Sequence, residues 1–167
     1  MDGYAILLKR LADHGVQFVV IGGYAIALHG ALLVTADVDI CAPLDVENLG
    51  RIIAALKGIN PVFRFHVKTI PLHEDAASLV GVRNLYLKTD LAILDILGEV
   101  EGVGRFQDVL RQSVTVPFFG GTIHVLNIDG LISAKQTAGR EKDKAGLHHL
   151  EALKRERAKS PDRPSTE

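Results

Sequence analysis

The sequence predicts an α/β (α+β) fold, a mixed β-sheet flanked by helices. Three observations predict it. Helical and strand-like apolar segments alternate through the first third of the chain, two hairpin patterns follow, and two helical patterns close it. Of 167 residues, 47% are hydrophobic and 23% charged, enough for a real core and too apolar for wholesale disorder. A single domain over residues 1–158 is expected, followed by a disordered polar tail over 159–167 that carries two prolines.

The first helix shows Tyr4, Leu7, Leu8 and Leu11 at i, i+3, i+4 and i+7, with Asp2 as N-cap and Gly15 as stop. Val16–Ile21 reads as a strand covered on both faces. Gly22-Gly23 breaks it, and a short helix over Tyr24–His29 precedes Gly30. Asp37–Ala42 reads as a strand, and Asp45 caps a helix whose stripe is Leu49, Ile52, Ile53 and Leu56. Strands follow over Val62–Val67, Leu85–Lys88 and Leu91–Leu97, the last two joined by a Thr89-Asp90 turn. A helix is expected over Gly102–Gln112. Val114–Pro117 and Thr122–Leu126 read as a second hairpin around Phe118–Gly121, before helices over Ile128–Ala138 and Lys142–Arg157.

Nineteen basic and twenty acidic residues give a net charge of −1, which excludes a protein that coats nucleic acid through unopposed cations. No run reaches the roughly 18–20 apolar residues of a membrane span. One cysteine, Cys41, and an N-terminus without a signal-peptide pattern lead to the expectation of a cytoplasmic protein with no membrane partner.

Three acidic residues stand where burial disfavours them. In Asp37-Val38-Asp39-Ile40-Cys41, alternation places Asp37, Asp39 and Cys41 on one face, with the two carboxylates about 6.5–7 Å apart along the strand. Asp95 interrupts the apolar strand Leu91–Leu97. Such a carboxylate must be paired, protonated or bound to a cation. Oxygen-only ligands suit Mg²⁺ or Mn²⁺ better than zinc. The competing reading makes Asp37 and Asp39 ordinary loop, cap or salt-bridge residues and pairs Asp95 with an arginine such as Arg83.

Gly22-Gly23 lets the chain turn sharply and lets backbone N–H groups approach a phosphate, although the spacing fits neither G-x-G-x-x-G nor the P-loop. Lys135 falls on the stripe of Ile128, Leu131 and Ile132, so its ammonium must snorkel or meet an anion. Asp143 shares an inward face with Leu147 and Leu150. Either Lys135 or Arg140 pairs with Asp143, or Lys135 reaches a polyphosphate while Asp143 holds it or a substrate group in place. Other residues have plain readings: His148-His149 as a solvated helix edge, Lys154–Arg157 as a mixed-charge tail, Cys41 as a bystander suited to labelling. His29 is a weak candidate for lining the site.

Four segments in this order, I-G-G-Y-A-I-A-L-H-G (Ile21–Gly30), T-A-D-V-D-I (Thr35–Ile40), L-D-I-L (Leu94–Leu97) and L-I-S-A-K-Q-T-A-G-R-E-K-D (Leu131–Asp143), resemble the nucleotidyltransferase superfamily. Within it they are most similar to the small bacterial branch of AbiEii-type toxins and minimal nucleotidyltransferases. The resemblance covers about Val16 to Leu153. It implies a nucleotidyltransferase-like fold and an enzyme that transfers a nucleoside monophosphate from an NTP to a hydroxyl acceptor, which is a small molecule, a protein or RNA. It implies that Asp37, Asp39 and Asp95 bind Mg²⁺ (or Mn²⁺), with Asp95 accepting the hydroxyl proton. It further implies that Gly22 and Gly23 cradle the triphosphate, and that Lys135 and Asp143, with Arg140 and Lys142 beside them, serve the nucleotide. A toxin–antitoxin pair with a cognate antitoxin is the further implication.

Two positions depart from the related pattern. Leu33 stands where an arginine is usual, and Gly146 where a second aspartate is frequent. They support the alternative of a nucleotide- or partner-binding module on a decayed transferase scaffold. A third reading, a haloacid-dehalogenase-like phosphatase, needs a later lysine and an acidic pair after a Ser/Thr motif. Only Glu74-Asp75, in an expected loop, offers such a pair.

Overall fold

A computed structural model describes residues 2–72 and 75–159. Glu74 and the tail beyond Lys159 lie outside it, as does Met1.

Helix α1 (Gly3–Asp13) starts where the Asp2 carboxylate accepts the Ala5 N–H at 2.8 Å, and it buries Leu7, Leu8 and Leu11. Strand β1 (Val19–Ile21) is half the expected length. The reason is Asn48: its buried side chain accepts the Gln17 N–H and donates to the Gln17 and Pro43 carbonyls, so Gln17 needs no ladder partner. Helix α2 (Gly22–Leu28) begins at the glycine pair itself, two residues before the expected start, with Gly22 at φ +67°. Strand β2 (Asp37–Cys41) and helix α3 (Val46–Leu56), capped by Asp45, follow the sequence reading closely.

Strand β3 (Val62–Phe63) stops early because Phe65 takes φ +65°, and β4 (Ile70–Pro71) pairs with it. After a 3₁₀ turn (Ala76–Leu79), β5 (Asn84–Lys88) and β6 (Ile93–Leu97) form an antiparallel pair. Its turn spans four residues, Thr89–Ala92, because the Thr89 hydroxyl accepts the Leu91 and Ala92 N–H groups and donates to the Ala92 carbonyl. The expected helix over Gly102–Gln112 is corrected: Gly102 and Gly104 have positive φ, a small hairpin forms from β7 (Glu99–Val100) and β8 (Gly104–Arg105), and α4 (Phe106–Arg111) covers the rest. Strands β9 (Ser113–Phe118) and β10 (Gly121–Leu126) turn on Phe119-Gly120, both left-handed, as a two-residue hairpin requires. Helix α5 (Ile128–Ala138) is capped by Asn127, and α6 (Asp143–Lys159) runs to Lys159, where the tail was expected to begin.

Eight strands form one sheet in the order β4-β3-β5-β6-β2-β1-β10-β9. The β2–β6 and β1–β10 pairs are parallel and the others antiparallel, so the sheet is mixed. Alternation then separates its faces. Val20, Val38, Ile40, Leu94, Ile96, Leu85 and Leu87 point to the buried face. The opposite face carries Asp37, Asp39, Asp95, Asn84, Tyr86 and Lys88.

Candidate active site

The parallel β2–β6 pairing sets Asp39 opposite Asp95, with Asp37 two residues earlier on the same face of β2. One oxygen from each of the three carboxylates lies within 4.8 Å of the other two. Burial pushes the Asp39 carboxyl from its ordinary 3.8 up to about 7, with the charges of Asp37 and Asp95 adding to the effect. Burial also raises Asp95, against the hydrogen bond from Arg64. The Thr35 hydroxyl donates to Asp37 Oδ1 at 3.2 Å, and its carbonyl accepts the Tyr4 hydroxyl at 3.0 Å, which ties the segment before β2 to α1.

The glycine pair is shaped by these same residues. A Cβ on Gly22 would lie 2.3 Å from Asp39 Oδ2, and one on Gly23 would lie 2.9 Å from Thr35 Oγ1. Only a residue without a side chain lets the β1–α2 elbow sit against the carboxylates. The three acids and both glycines line a cleft of about 710 Å³, and Leu33, Lys135, Arg140, Lys142, Asp143 and Gly146 complete its other flank.

On that flank Asp143 is almost wholly buried. Burial alone would raise its carboxyl, but hydrogen bonds from Arg140 (2.8 Å) and Lys135 (3.1 Å) outweigh it and hold it below the ordinary carboxylate range. Both expected cations therefore pair with Asp143, and both also line the cleft. Gly146 has a steric reason: a Cβ there would meet Lys135 Cε at 2.6 Å and Ile26 Cδ1 at 3.2 Å. The Lys135 stem occupies the space that an aspartate at this position would need.

Several residues differ from expectation. Asp95 pairs with Arg64, not Arg83, whose carbonyl instead accepts the Gly98 N–H. His29 is not among the residues that line the cleft; its Nε2 bonds the Leu126 carbonyl, and burial lowers its pKa. Cys41 is fully buried, and burial pushes its thiol to about 12, so it is no labelling handle. Asp75 accepts the Ala77 N–H as the cap of the 3₁₀ turn. His148 is exposed and its ring stands edge-on to that of His149, 6.4 Å away.

Arg64, Asn84, Tyr86, Glu99 and Glu101 were not anticipated. All but Arg64 line the cleft, and Arg64 reaches it through Asp95. The period-2 pattern of β5 was the one available signal, since it sets Asn84 and Tyr86 on a common face.

No family model matches the sequence, and no curated protein matches it. Solved structures share its fold. A proposed nucleotidyltransferase from Thermotoga maritima is 21% identical, with a TM-score of 0.54 over 87% of this chain and 88% of that one. An antigenic nucleotidyltransferase-like protein from Paracoccidioides brasiliensis is 17% identical, with a TM-score of 0.57 over 90% and 72%. The structure of ANT(2″)-Ia in complex with adenylyl-2″-tobramycin is 13% identical, with a TM-score of 0.54 over 94% of each chain. The mixed sheet with its flanking helices is the fold of nucleotidyltransferases.

Proposed function

We propose that this protein is a divalent-metal-dependent nucleotidyltransferase that moves a nucleoside monophosphate from an NTP to a hydroxyl acceptor. The observation that carries the reading is the convergence of Asp37, Asp39 and Asp95 in one cleft with Lys135, Arg140 and Lys142. The donor set is all carboxylate oxygen, and burial, with the charges of Asp37 and Asp95 adding to it, lifts Asp39 to about 7, so a hard divalent cation fits it. Asp37, Asp39 and Asp95 would hold that cation. Mg²⁺ or Mn²⁺ bound there supplies charge neutralisation to the reacting phosphate oxygens.

The chain's own residues do the rest. Gly22 and Gly23 allow the elbow backbone to approach the triphosphate. Lys135 and Arg140, held in place by buried Asp143, face the phosphates, and Lys142 adds positive potential at the acids. The acceptor hydroxyl oxygen bonds to the α-phosphorus, the bond from that phosphorus to the bridging oxygen breaks, and pyrophosphate leaves. Arg64 engages Asp95 Oδ1, so Oδ2 is the atom that takes the hydroxyl proton. Positioning and charge stabilisation carry most of such a transfer.

A binding module without catalysis is the second reading, favoured by apolar Leu33 in the lining of the cleft. One experiment separates the two. The full chain is incubated with labelled NTPs, Mg²⁺ and a pool of sugars, proteins and RNA, and label transfer and pyrophosphate release are followed. Transfer that Asp39→Asn and Asp95→Asn both abolish is the expected result. Mg²⁺-dependent NTP binding without transfer selects the binding module, and transfer that survives Asp39→Asn refutes the assigned role.

The motif order supports a finer reading as an AbiEii-like member of a toxin–antitoxin pair, tested by growth arrest on induction and rescue by the neighbouring gene product. Residues 1–158 are proposed as one domain, on the support of one contiguous hydrophobic core. No described helix is long and apolar enough to cross a membrane, and a cytoplasmic setting is part of the same proposal.

A further inference from the structure

The face that bears the carboxylates does not end at Asp95. Asp39 lies opposite Asp95, Asp95 lies opposite Tyr86, and the Arg64 N–H bonds the Tyr86 carbonyl at 2.9 Å. Residues opposite one another share a face, so one row leads from the acids to the outer strands. Beyond Asp95 this face is open to solvent: Asn84, Tyr86 and Lys88 are exposed, while Leu85 and Leu87 between them are buried beneath the sheet.

At the end of the row stands Phe65. It holds φ +65°, rare for a bulky side chain, and remains 80% exposed. Its ring stands edge-on to Tyr86 at 5.7 Å, and the Arg64 guanidinium lies 4.6 Å from the ring centre. Arg64 ion-pairs with Asp95, and its buried Nε has no partner. Backbone strain and apolar exposure thus coincide on one residue, and its contacts with Tyr86 and Arg64 leave most of the ring uncovered. They present an aromatic ring to solvent, one ring away from the acids.

Resting on the nucleotidyl-transfer reading, we propose that Phe65, Tyr86 and Arg64 form the acceptor subsite and that it takes a nucleotide unit. An unpaired base stacks on Phe65, and its phosphate meets the Arg64 donors that Asp95 leaves unused, with Lys88 on the same face. The ribose hydroxyl then reaches Asp95. That hydroxyl oxygen forms the new bond to the α-phosphorus of the NTP, pyrophosphate departs with the electron pair of the broken bond, and the proton passes to the Asp95 carboxylate. Any base offers a face to stack on Phe65, and Arg64 and Lys88 offer cations to its phosphate. Lys135, Arg140 and Lys142 come from α5 and the segment that leads into α6, not from the strands of the shelf, and leave the shelf free while the NTP is bound.

The chain contains no tryptophan, so Phe65→Trp installs a lone indole as reporter. The full-length variant, saturated with Mg²⁺ and a non-hydrolysable ATP analogue, is titrated with adenosine monophosphate, with a short single-stranded oligoadenylate and with an amino sugar. Saturable quenching by either nucleotide is expected. Quenching by the monophosphate identifies a single nucleotide as acceptor, and quenching by the oligonucleotide alone identifies a strand end. In anisotropy measurements Phe65→Ala weakens binding of that nucleotide by about 5- to 100-fold, and Phe65→Leu, which keeps apolar bulk without a π face, does the same. Affinity for the ATP analogue, read by calorimetry, stays within about twofold.

Quenching by the ATP analogue alone would assign the ring to the donor and overturn the proposal. So would nucleotide binding unchanged in Phe65→Ala, or binding of the amino sugar alone. If the wild-type chain fails to bind the ATP analogue, the nucleotidyl-transfer reading itself falls and takes the subsite with it.

Discussion

Replacing Asp39 with Asn should make the metal-free protein more stable at pH 8 while removing the proposed divalent-cation site. The folded-state carboxyl sits at about 7 against an ordinary 3.8. Well below 3.8 both folded and unfolded chains hold the proton, and the group contributes no pH dependence. Between 3.8 and 7 the folded chain binds more protons than the unfolded one, so stability falls as pH rises, and above 7 the whole penalty is present. At 1.36 kcal/mol per pKa unit the ceiling is about 4 kcal/mol. Burial is the larger part of the shift and the charges of Asp37 and Asp95 the rest, so about 2–4 kcal/mol is the expected gain for Asp39→Asn at pH 8. Urea unfolding in EDTA at pH 4 and pH 8 measures it. The gain should be near zero at pH 4, and Mg²⁺ at a hundredfold excess over its Kd should add about 2.7 kcal/mol to the wild-type chain but little to the variant. A variant no more stable than wild type at pH 8, or equally affected at both pH values, refutes the account of a buried carboxyl crowded by two others.

Four further outcomes follow from the same geometry. Gly22→Ala forces a Cβ to 2.3 Å from Asp39 Oδ2 at a left-handed φ, so it should cost about 1–2 kcal/mol in urea unfolding and lower Mn²⁺ affinity, read by calorimetry, by tenfold or more. Asp143→Asn leaves Lys135, only 16% exposed, without its anion and should cost about 3 kcal/mol by chemical denaturation. Asn48→Ala removes a buried side chain that bonds Gln17 and Pro43, and thermal unfolding should show a loss of about 3 kcal/mol. Cys41, fully buried with its thiol at about 12, should not react with a thiol reagent in the native state and should react at once in urea.

Much of the site was legible in short segments. The D-x-D alternation put Asp37 and Asp39 on one face, and the apolar run around Asp95 marked that residue as out of place. The Lys135 stripe and the inward position of Asp143 both emerged from helical period, and both residues sit partly or wholly buried against each other. Where the reading failed, a non-local contact or a backbone break had replaced local periodicity. Val16–Phe18 look like strand, but the Asn48 side chain of α3 takes the Gln17 N–H and carbonyl, and the Val16 N–H bonds the Leu11 carbonyl. Val62–Val67 alternate well enough for a strand, but the left-handed Phe65 ends it.

Periodicity, caps and glycine placement by themselves determined the mixed α/β class, the face of each acid on its own strand, and the elbow at Gly22-Gly23. Those properties depend on backbone geometry within a few residues. Only the tertiary structure decided that β2 lies parallel to β6 with Asp39 opposite Asp95, that Arg64 rather than Arg83 answers Asp95, and that Gly146 makes room for Lys135. Strand order, register and ion-pair choice are set by how the whole core packs, and segments far apart in the chain carry no local mark of which neighbour they will meet.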